Sequence, residues 1–180
     1  FSAIQNNDKI GVIFLSDRVE KYIPPKKGRK HILYLIREML TFTPNSKRTD
    51  VGVGLEYLNK VVKRRCTAFV ISDFYTRKDF SQELRITNRK HDVVAIQVYD
   101  PRAKVMPDVG LLKVIDAETG HEMYVDTHDI RVRKAHNTYW EEREQRLHDT
   151  LTQSHVDSVA IATNDDYVKM LITLFLKRRR

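Results

Sequence analysis

Residues 67–75 read Thr67-Ala68-Phe69-Val70-Ile71-Ser72-Asp73-Phe74-Tyr75, and this run sets the fold class of the chain. Nearly every position up to Ile71 is apolar or β-branched, so the in/out alternation of a half-exposed strand is missing. Such a run predicts a strand buried on both faces of a parallel sheet. It stops at Asp73, a carboxylate at the carboxyl end of the strand. Ligands of open α/β sheets bind along that edge, which makes Asp73 the first candidate functional residue. A helix cap or the start of a turn is the simpler alternative.

Outward from this strand, Ile10–Ser16 is a second apolar run, ended by Asp17. Val19–Ile23 pairs back on it through Asp17-Arg18 and runs into Pro24-Pro25, which places it at a sheet edge because proline donates nothing to a ladder. Val93–Tyr99, ended by Asp100-Pro101, and Val156–Thr163, followed by Asn164-Asp165-Asp166, read as further strands. Helical spacing of apolar residues predicts helices over Gly28–Thr41, Val51–Arg65, Ser81–Arg89, Ile130–Gln153 and Tyr167–Leu176. The longest of these has only a sparse seam of Trp140, Leu147 and Leu151. Gly52 and Gly54 each cost about 1 kcal/mol of helix propensity relative to alanine, so close packing or a nearby ligand must favour a bare backbone there. Leu111–Asp116 and Glu122–Val125 flank Ala117-Glu118-Thr119-Gly120 and read as a β-hairpin. Phe1–Asn7 reads as the last turn of a helix. Strands alternating with helices predict one α/β domain over residues 1–180, a three-layer Rossmann-like fold. Its mostly parallel sheet has helices on both faces, one antiparallel edge strand and the inserted hairpin.

A chain of 180 residues with 41% hydrophobic and 31% charged residues has the make-up of a soluble domain. No apolar run approaches the roughly 20 residues that span a bilayer, and no basic-then-apolar leader opens the chain. The single cysteine, Cys66, cannot form an internal disulfide, which fits a reducing, cytoplasmic setting. The net charge of +8 raises nucleic acid or an acidic membrane as partners. The cations are scattered at 26–30, 63–65 and 177–180, near predicted helix ends where they complement the dipole. No aromatic residues interleave with them to stack on bases. They read as solvated helix ends, with the terminal arginines available to an acidic partner.

Four predicted strands end in Ser16-Asp17, Ser72-Asp73, Asp100 and Asn164-Asp165, which gathers oxygen donors of the kind Mg²⁺ prefers along one rim. Helix capping explains several of these positions equally well. The chain has no glycine-rich phosphate loop, no two-histidine zinc pattern and no nucleophile elbow. His31, His91 and His121 fall in helices, loops or turns and read as solvated. Nothing in the sequence supports nucleophilic catalysis.

The ordered series IGVIFLSD, PPKKGRKHIL, Lys47-Arg48-Thr49-Asp50 opening VGVGLEYL, VISDF, Asp100-Pro101-Arg102, Met106-Pro107-Asp108-Val109-Gly110 and the hairpin at Asp116–Gly120 resembles a von Willebrand factor type A domain. It is most similar to the bacterial "domain of unknown function 58" family. The resemblance covers nearly the whole chain. It implies a metal-ion-dependent adhesion site built from three loops at the carboxyl edge, with Thr49 as the second-loop ligand, Asp73 as the third-loop ligand, and Ser72 and Asp50 beside them. The first-loop motif, aspartate–x–serine–x–serine, is not in this chain, nor is the strand that would carry it between Ile10–Ser16 and Thr67–Ser72. The resemblance therefore implies the C-terminal portion of a longer protein. It also implies an incomplete site, with Mg²⁺ an expectation for the intact protein and no tightly held metal expected here.

Function follows as an expectation of the same kind: a non-enzymatic protein-interaction module that acts with a MoxR-type AAA+ ATPase in metal-linked assembly or maturation of other proteins. The alternative from another class is a Mg²⁺-dependent phosphohydrolase or phosphotransferase on an α/β sheet, although such an enzyme needs a second carboxylate beside Asp73. Nucleic-acid binding through the basic surface is a third reading, and would be steeply salt-dependent.

Overall fold

The structure, a computed structural model, describes residues 5–76, 78–116 and 119–178. A hairpin of β1 (Ile10–Leu15) and β2 (Val19–Lys26) comes first, followed by helices α1 (Arg29–Thr41) and α2 (Val51–Val61). Then come β3 (Thr67–Ser72), α3 (Ser81–Lys90), β4 (Asp92–Tyr99) and a short 3₁₀ turn at Pro101–Ala103. The hairpin β5 (Leu111–Ile115) and β6 (Glu122–Asp126), helix α4 (Ile130–Gln153), strand β7 (Asp157–Ala162) and helix α5 (Tyr167–Arg178) complete the chain. No helix among the described residues is long and apolar enough to cross a membrane.

The element order is the α/β alternation read from the sequence, but the strands form three separate sheets. Strands β3, β4 and β7 form a parallel sheet in the order β3-β4-β7, while among the described residues β1 pairs only with β2 and β5 only with β6, both antiparallel. β1 makes no ladder with β3. Helix α2 connects the two parts. Its Gly54 lies against Leu15 of β1, where an added Cβ would fall 2.7 Å from Leu15 Cδ2. Its Val51 and Leu55 enter the main core with Phe74, Phe80, Leu84, Val93, Ala95, Leu151 and Val156, against which Ala68 and Val70 of β3 pack. Close packing is realised at Gly54, whereas a Cβ at Gly52 would meet only Asp50 Oδ1 at 3.3 Å and Glu83 at 3.6 Å.

The strand buried on both faces is β4, not β3. β4 has a neighbour on each side, and Val93, Val94 and Ala95 are at most 1% exposed. β3 is an edge strand, so its residues alternate: Ala68 and Val70 face the core, whereas Phe69 is 46% and Ile71 61% exposed. Phe175 of α5 meets Phe69 edge-to-face, with ring centroids 6.1 Å apart. Apolar composition alone therefore mistakes this half-exposed strand for a central one.

Other departures have local causes. Helix α2 ends at Val61, and Val62 takes an extended conformation with φ −105° and ψ 108°, as suits its β-branched side chain. Lys63, Arg64 and Arg65 therefore lie in the connection to β3, beyond the helix. His91 is not solvated: it is 0% exposed, and its Nδ1 lies 3.5 Å from Cys66 Sγ. Burial holds its imidazole below the ordinary histidine pKa, helped by the charges of Lys90 and Arg65. Burial likewise pushes the Cys66 thiol up, with Asp92 adding to the effect. His31 is also engaged, through Nε2 and the carbonyl of Ile10 at 2.8 Å. The Arg178 guanidinium does not stay in solvent. It donates to Asp157 at 2.9 Å and to Asp92, tying the end of α5 to the amino ends of β4 and β7.

The expected helix tail is visible as a turn at residues 5–7 closed by Asn7 at φ 54°, while residues 1–4 of that reading lie outside the described residues. The hairpin β5–β6 pairs as expected, Leu111 opposite Asp126 through Ile115 opposite Glu122. Ala117 and Glu118 of its turn lie outside the described residues. Thr127, 0% exposed, closes its base by donating to the Gly110 carbonyl at 2.7 Å and accepting the Val109 N–H at 2.9 Å.

Candidate functional site

The carboxyl ends of β1 and β3 reach one edge of the molecule, and Asp50 joins them. Its N–H donates to the carbonyl of Ser16, at the end of β1, at 3.0 Å. Its Oδ1 caps α2 by accepting the Val53 N–H at 3.3 Å, which satisfies one of the free donors of the first turn. Its Oδ2 accepts from the Lys78 ammonium, in the segment after β3, at 2.7 Å. The Asp50 hydrogen bond holds the Lys78 ammonium above the ordinary lysine pKa. Thr49 and Asp73 thus sit on two loops that Asp50 links, through its N–H to Ser16 and its carboxylate to Lys78.

Glu20 of β2 fixes the second loop from below. Its Oε1 accepts from Ser16 Oγ at 2.7 Å and from the Asn45 and Ser46 amides at 3.2 Å each. Its Oε2 accepts from Asn45 Nδ2 at 2.7 Å. These bonds, led by those from Asn45 and Ser16, hold its carboxyl below the usual range. Burial pulls the neighbouring Asp17 carboxyl upward, but hydrogen bonds from Arg18 and Ser46 outweigh this and leave it low. Neither Glu20 nor Ser16 stands out in the sequence as an organiser of residues 45–50. The one available hint is the stretch Asn45-Ser46, whose free amides need an acceptor.

The third loop opens with two consecutive side-chain-to-backbone turns. Ser72 Oγ accepts the Phe74 N–H at 3.0 Å, and Asp73 Oδ1 accepts the Tyr75 N–H at 2.9 Å. Phe74 between them has φ 54°, a left-handed conformation rare for an aromatic residue. Its ring, 5% exposed, is stacked on Phe80 at 6.0 Å, and the core contact holds the backbone in place.

Helix α4 closes the far side of this loop. Its seam carries His136, Trp140, Arg143, Leu147 and Leu151 at helical spacing. Leu147 and Leu151 pack into the core, and Arg143 donates from Nη2 to the carbonyl of Asp73 at 2.8 Å. The guanidinium lies 4.7 Å from the ring centroids of both Tyr75 and Trp140. Tyr139 and Tyr75 join through their hydroxyls at 3.3 Å, and the Trp140 indole N–H donates to His136 Nε2 at 3.1 Å. Arg143 stands in the apolar seam between Trp140 and Leu147, where a surface arginine would not be expected. That is the signal by which the sequence marks it.

Two of the rim's other oxygens serve local turns. Asp100 caps the 3₁₀ turn and binds Arg102, with its carboxylate 2.7 Å from Nη2. Asp165 accepts the Ala162 N–H at 2.8 Å. Ser72 and Asp50 are engaged as described, and Thr49 is half-buried. Among the described residues no group of three or more histidine, cysteine, aspartate or glutamate side chains could hold a metal ion. One hydroxyl at Thr49 and one carboxylate at Asp73, whose Oδ1 already accepts a backbone N–H, do not fit the oxygen cage of Mg²⁺ by themselves.

The architecture is that of known α/β proteins of low sequence similarity. It is similar to the conserved hypothetical protein BatB from Bacteroides thetaiotaomicron, with a TM-score of 0.54 at 14% identity over 95% of this chain and 79% of that one. It is also similar to an aerotolerance-related membrane protein from Bacteroides fragilis, with a TM-score of 0.57 at 13% identity over 95% of this chain and 80% of that one. Residues 1–146 match the family described as "Protein of unknown function DUF58", and the chain belongs to that family. An uncharacterized protein of Mycobacterium tuberculosis is 32% identical over 115 residues, which are 63% of this chain and 36% of that protein. One of Mycobacterium avium is 34% identical over 100 residues, 54% of this chain and 59% of that protein. The matched stretch thus covers about a third of the first relative and under two thirds of the second.

Proposed function

We propose that the chain is a non-enzymatic, type A-like protein-interaction module that works with a MoxR-type AAA+ ATPase in the metal-linked assembly or maturation of other proteins. One observation carries this reading: Asp50 fastens the loop of Thr49 and the loop of Asp73 to a single edge, through Ser16 and Lys78. Recognition residues on loops held by a rigid scaffold are the usual construction of a binding face. Thr49 and Asp73 are two of the oxygen donors that a Mg²⁺ ion at this edge would need. The remaining donors would have to come from outside the described residues, so the reading for this chain rests on contacts between proteins.

The test is calorimetric titration of the chain with a purified MoxR-type ATPase, repeated with Asp73→Ala and Thr49→Ala. Saturable binding that either substitution weakens is the expected result. No binding by the unsubstituted chain would remove the ATPase as partner, and binding unaffected by either change would move the contact away from this edge.

A further inference from the structure

We infer that Arg143, stacked between Tyr75 and Trp140 beside Asp73, is the anion-recognising group of this edge and receives a carboxylate from an acidic segment of a partner protein without a metal ion. The inference rests on the reading of this edge as a protein-binding face, and it names the chemistry of what binds. Arginine has five N–H donors in a rigid fork that matches a carboxylate. Arg143 uses one of its five, to the Asp73 carbonyl, and makes no other hydrogen bond to a described residue. The side chain is half-buried and held from two sides by aromatic rings, each 4.7 Å away. Its rotamer freedom is therefore already restricted before anything binds, which removes a large part of the cost of ordering an arginine at an interface.

The surroundings suit the same role. Tyrosine, tryptophan and arginine are the residue types that dominate binding hot spots. Here Tyr75, Tyr139, Trp140 and Arg143 meet at one place, with Tyr139 45% exposed. Two of the acidic neighbours on α4 are already paired, Glu142 with Arg146 at 3.5 Å and Glu144 with Lys104. Lys104 itself lies over the ring of Tyr99, 3.7 Å from its centroid, so a second aromatic-backed cation borders the helix. With a net charge of +8 on the whole chain, the favoured partner is acidic. A role confined to pinning α4 would leave the binding of anions insensitive to Arg143.

Trp140 is the sole tryptophan and lies against Arg143, so its fluorescence reports on the site directly. The experiment titrates the chain with an N-acetylated hexaglutamate peptide near physiological salt, with EDTA and again with Mg²⁺. A saturable change in Trp140 emission that EDTA leaves intact is expected. Arg143→Met should weaken it by about thirtyfold or more, the scale of a hot-spot truncation. Arg143→Lys keeps the charge and loses the planar fork, and should recover only a small part. It decides the matter if the methionine variant unfolds. Binding that requires Mg²⁺, binding unchanged in both variants, or no saturable change at all would each overturn the inference. Loss of the peptide signal only on neutralising Lys63, Arg64 and Arg65 would do the same. Failure of the ATPase titration with this signal intact would leave the carboxylate site standing and remove only the named partner.

Discussion

The carboxylate of Asp50 and the ammonium of Lys78 meet at 2.7 Å although the two side chains differ widely in exposure, 8% against 76%. The acid is buried because it must cap α2, and the lysine reaches in from the next loop to meet it. Asp50→Ala removes the cap and should cost about 1–2 kcal/mol. That corresponds to roughly 2–4 °C in melting temperature per kcal/mol for a chain of this size. Lys78→Met should move the urea midpoint less, because an exposed ammonium leaves water available to the carboxylate. An Asp50→Ala midpoint equal to that of the unsubstituted chain would show that α2 does not depend on this cap.

Two glycines face opposite tests. Gly11 lies where the register of the β1–β2 ladder shifts, and a Cβ there would stand 2.7 Å from the Ile23 carbonyl and 2.9 Å from the Pro25 nitrogen. Backbone atoms cannot yield as a side-chain end can, so Gly11→Ala should destabilise by about 1–3 kcal/mol. At Gly54 the obstacle is the far end of Leu15, and alanine recovers about 1 kcal/mol of helix propensity. Gly54→Ala should therefore lie close to neutral in denaturant unfolding. A reversed order of the two variants would refute this packing.

His91 predicts how stability responds to mild acid. Burial lowers its pKa in the folded chain, so below the ordinary histidine value of about 6.5 the unfolded chain takes up a proton that the folded chain resists. Stability present above that pH should be lost progressively as the pH falls through it toward the folded-state value. Asp17, Glu20, Asp100 and Asp129 are also held low in the folded chain, from a lower ordinary value. Their contributions fade only as the pH falls below about 4, the ordinary carboxylate range. Melting curves between pH 7.5 and 5 should show the first loss, and His91→Asn should flatten it. An unaltered slope in that variant would assign the effect to another group.

Much of the fold is written in local pattern. The helix over Ile130–Gln153 has the bounds that its charge and sparse seam indicate, and the hairpins follow their turn residues. Burial is less legible, because it depends on neighbours. TAFVIS and VVAIQVY look alike in composition, yet only the second has a strand on each side. His91 reads as a turn residue and proves buried because Cys66, 25 residues earlier, lies against it. At the candidate site, Thr49 and Asp73 can be picked out as strand-end and loop residues. The link from Asp73 to Arg143 joins positions 70 residues apart, and no local pattern encodes it.

The reading as a non-enzymatic module has a direct check. The chain should not hydrolyse p-nitrophenyl phosphate above the rate of buffer, with or without Mg²⁺. Turnover that needs Mg²⁺ and disappears in Asp73→Ala would replace the interaction reading with the phosphohydrolase one.

The separation of β1–β2 from the parallel sheet has a consequence for how the molecule opens. A two-stranded ribbon is marginal in isolation. This one is held by the Gly54–Leu15 contact, the Asp50–Ser16 hydrogen bond and the His31 bond to Ile10, together with the ion pair of Lys21 and Glu38. Its amides should exchange with solvent by local opening, well before those of β4, which exchange only on global unfolding. The carboxyl edge therefore spans two units of unequal endurance. Ser16, Glu20 and the loop at 45–50 belong to the unit that loosens first, and Asp73 and Arg143 to the one that lasts.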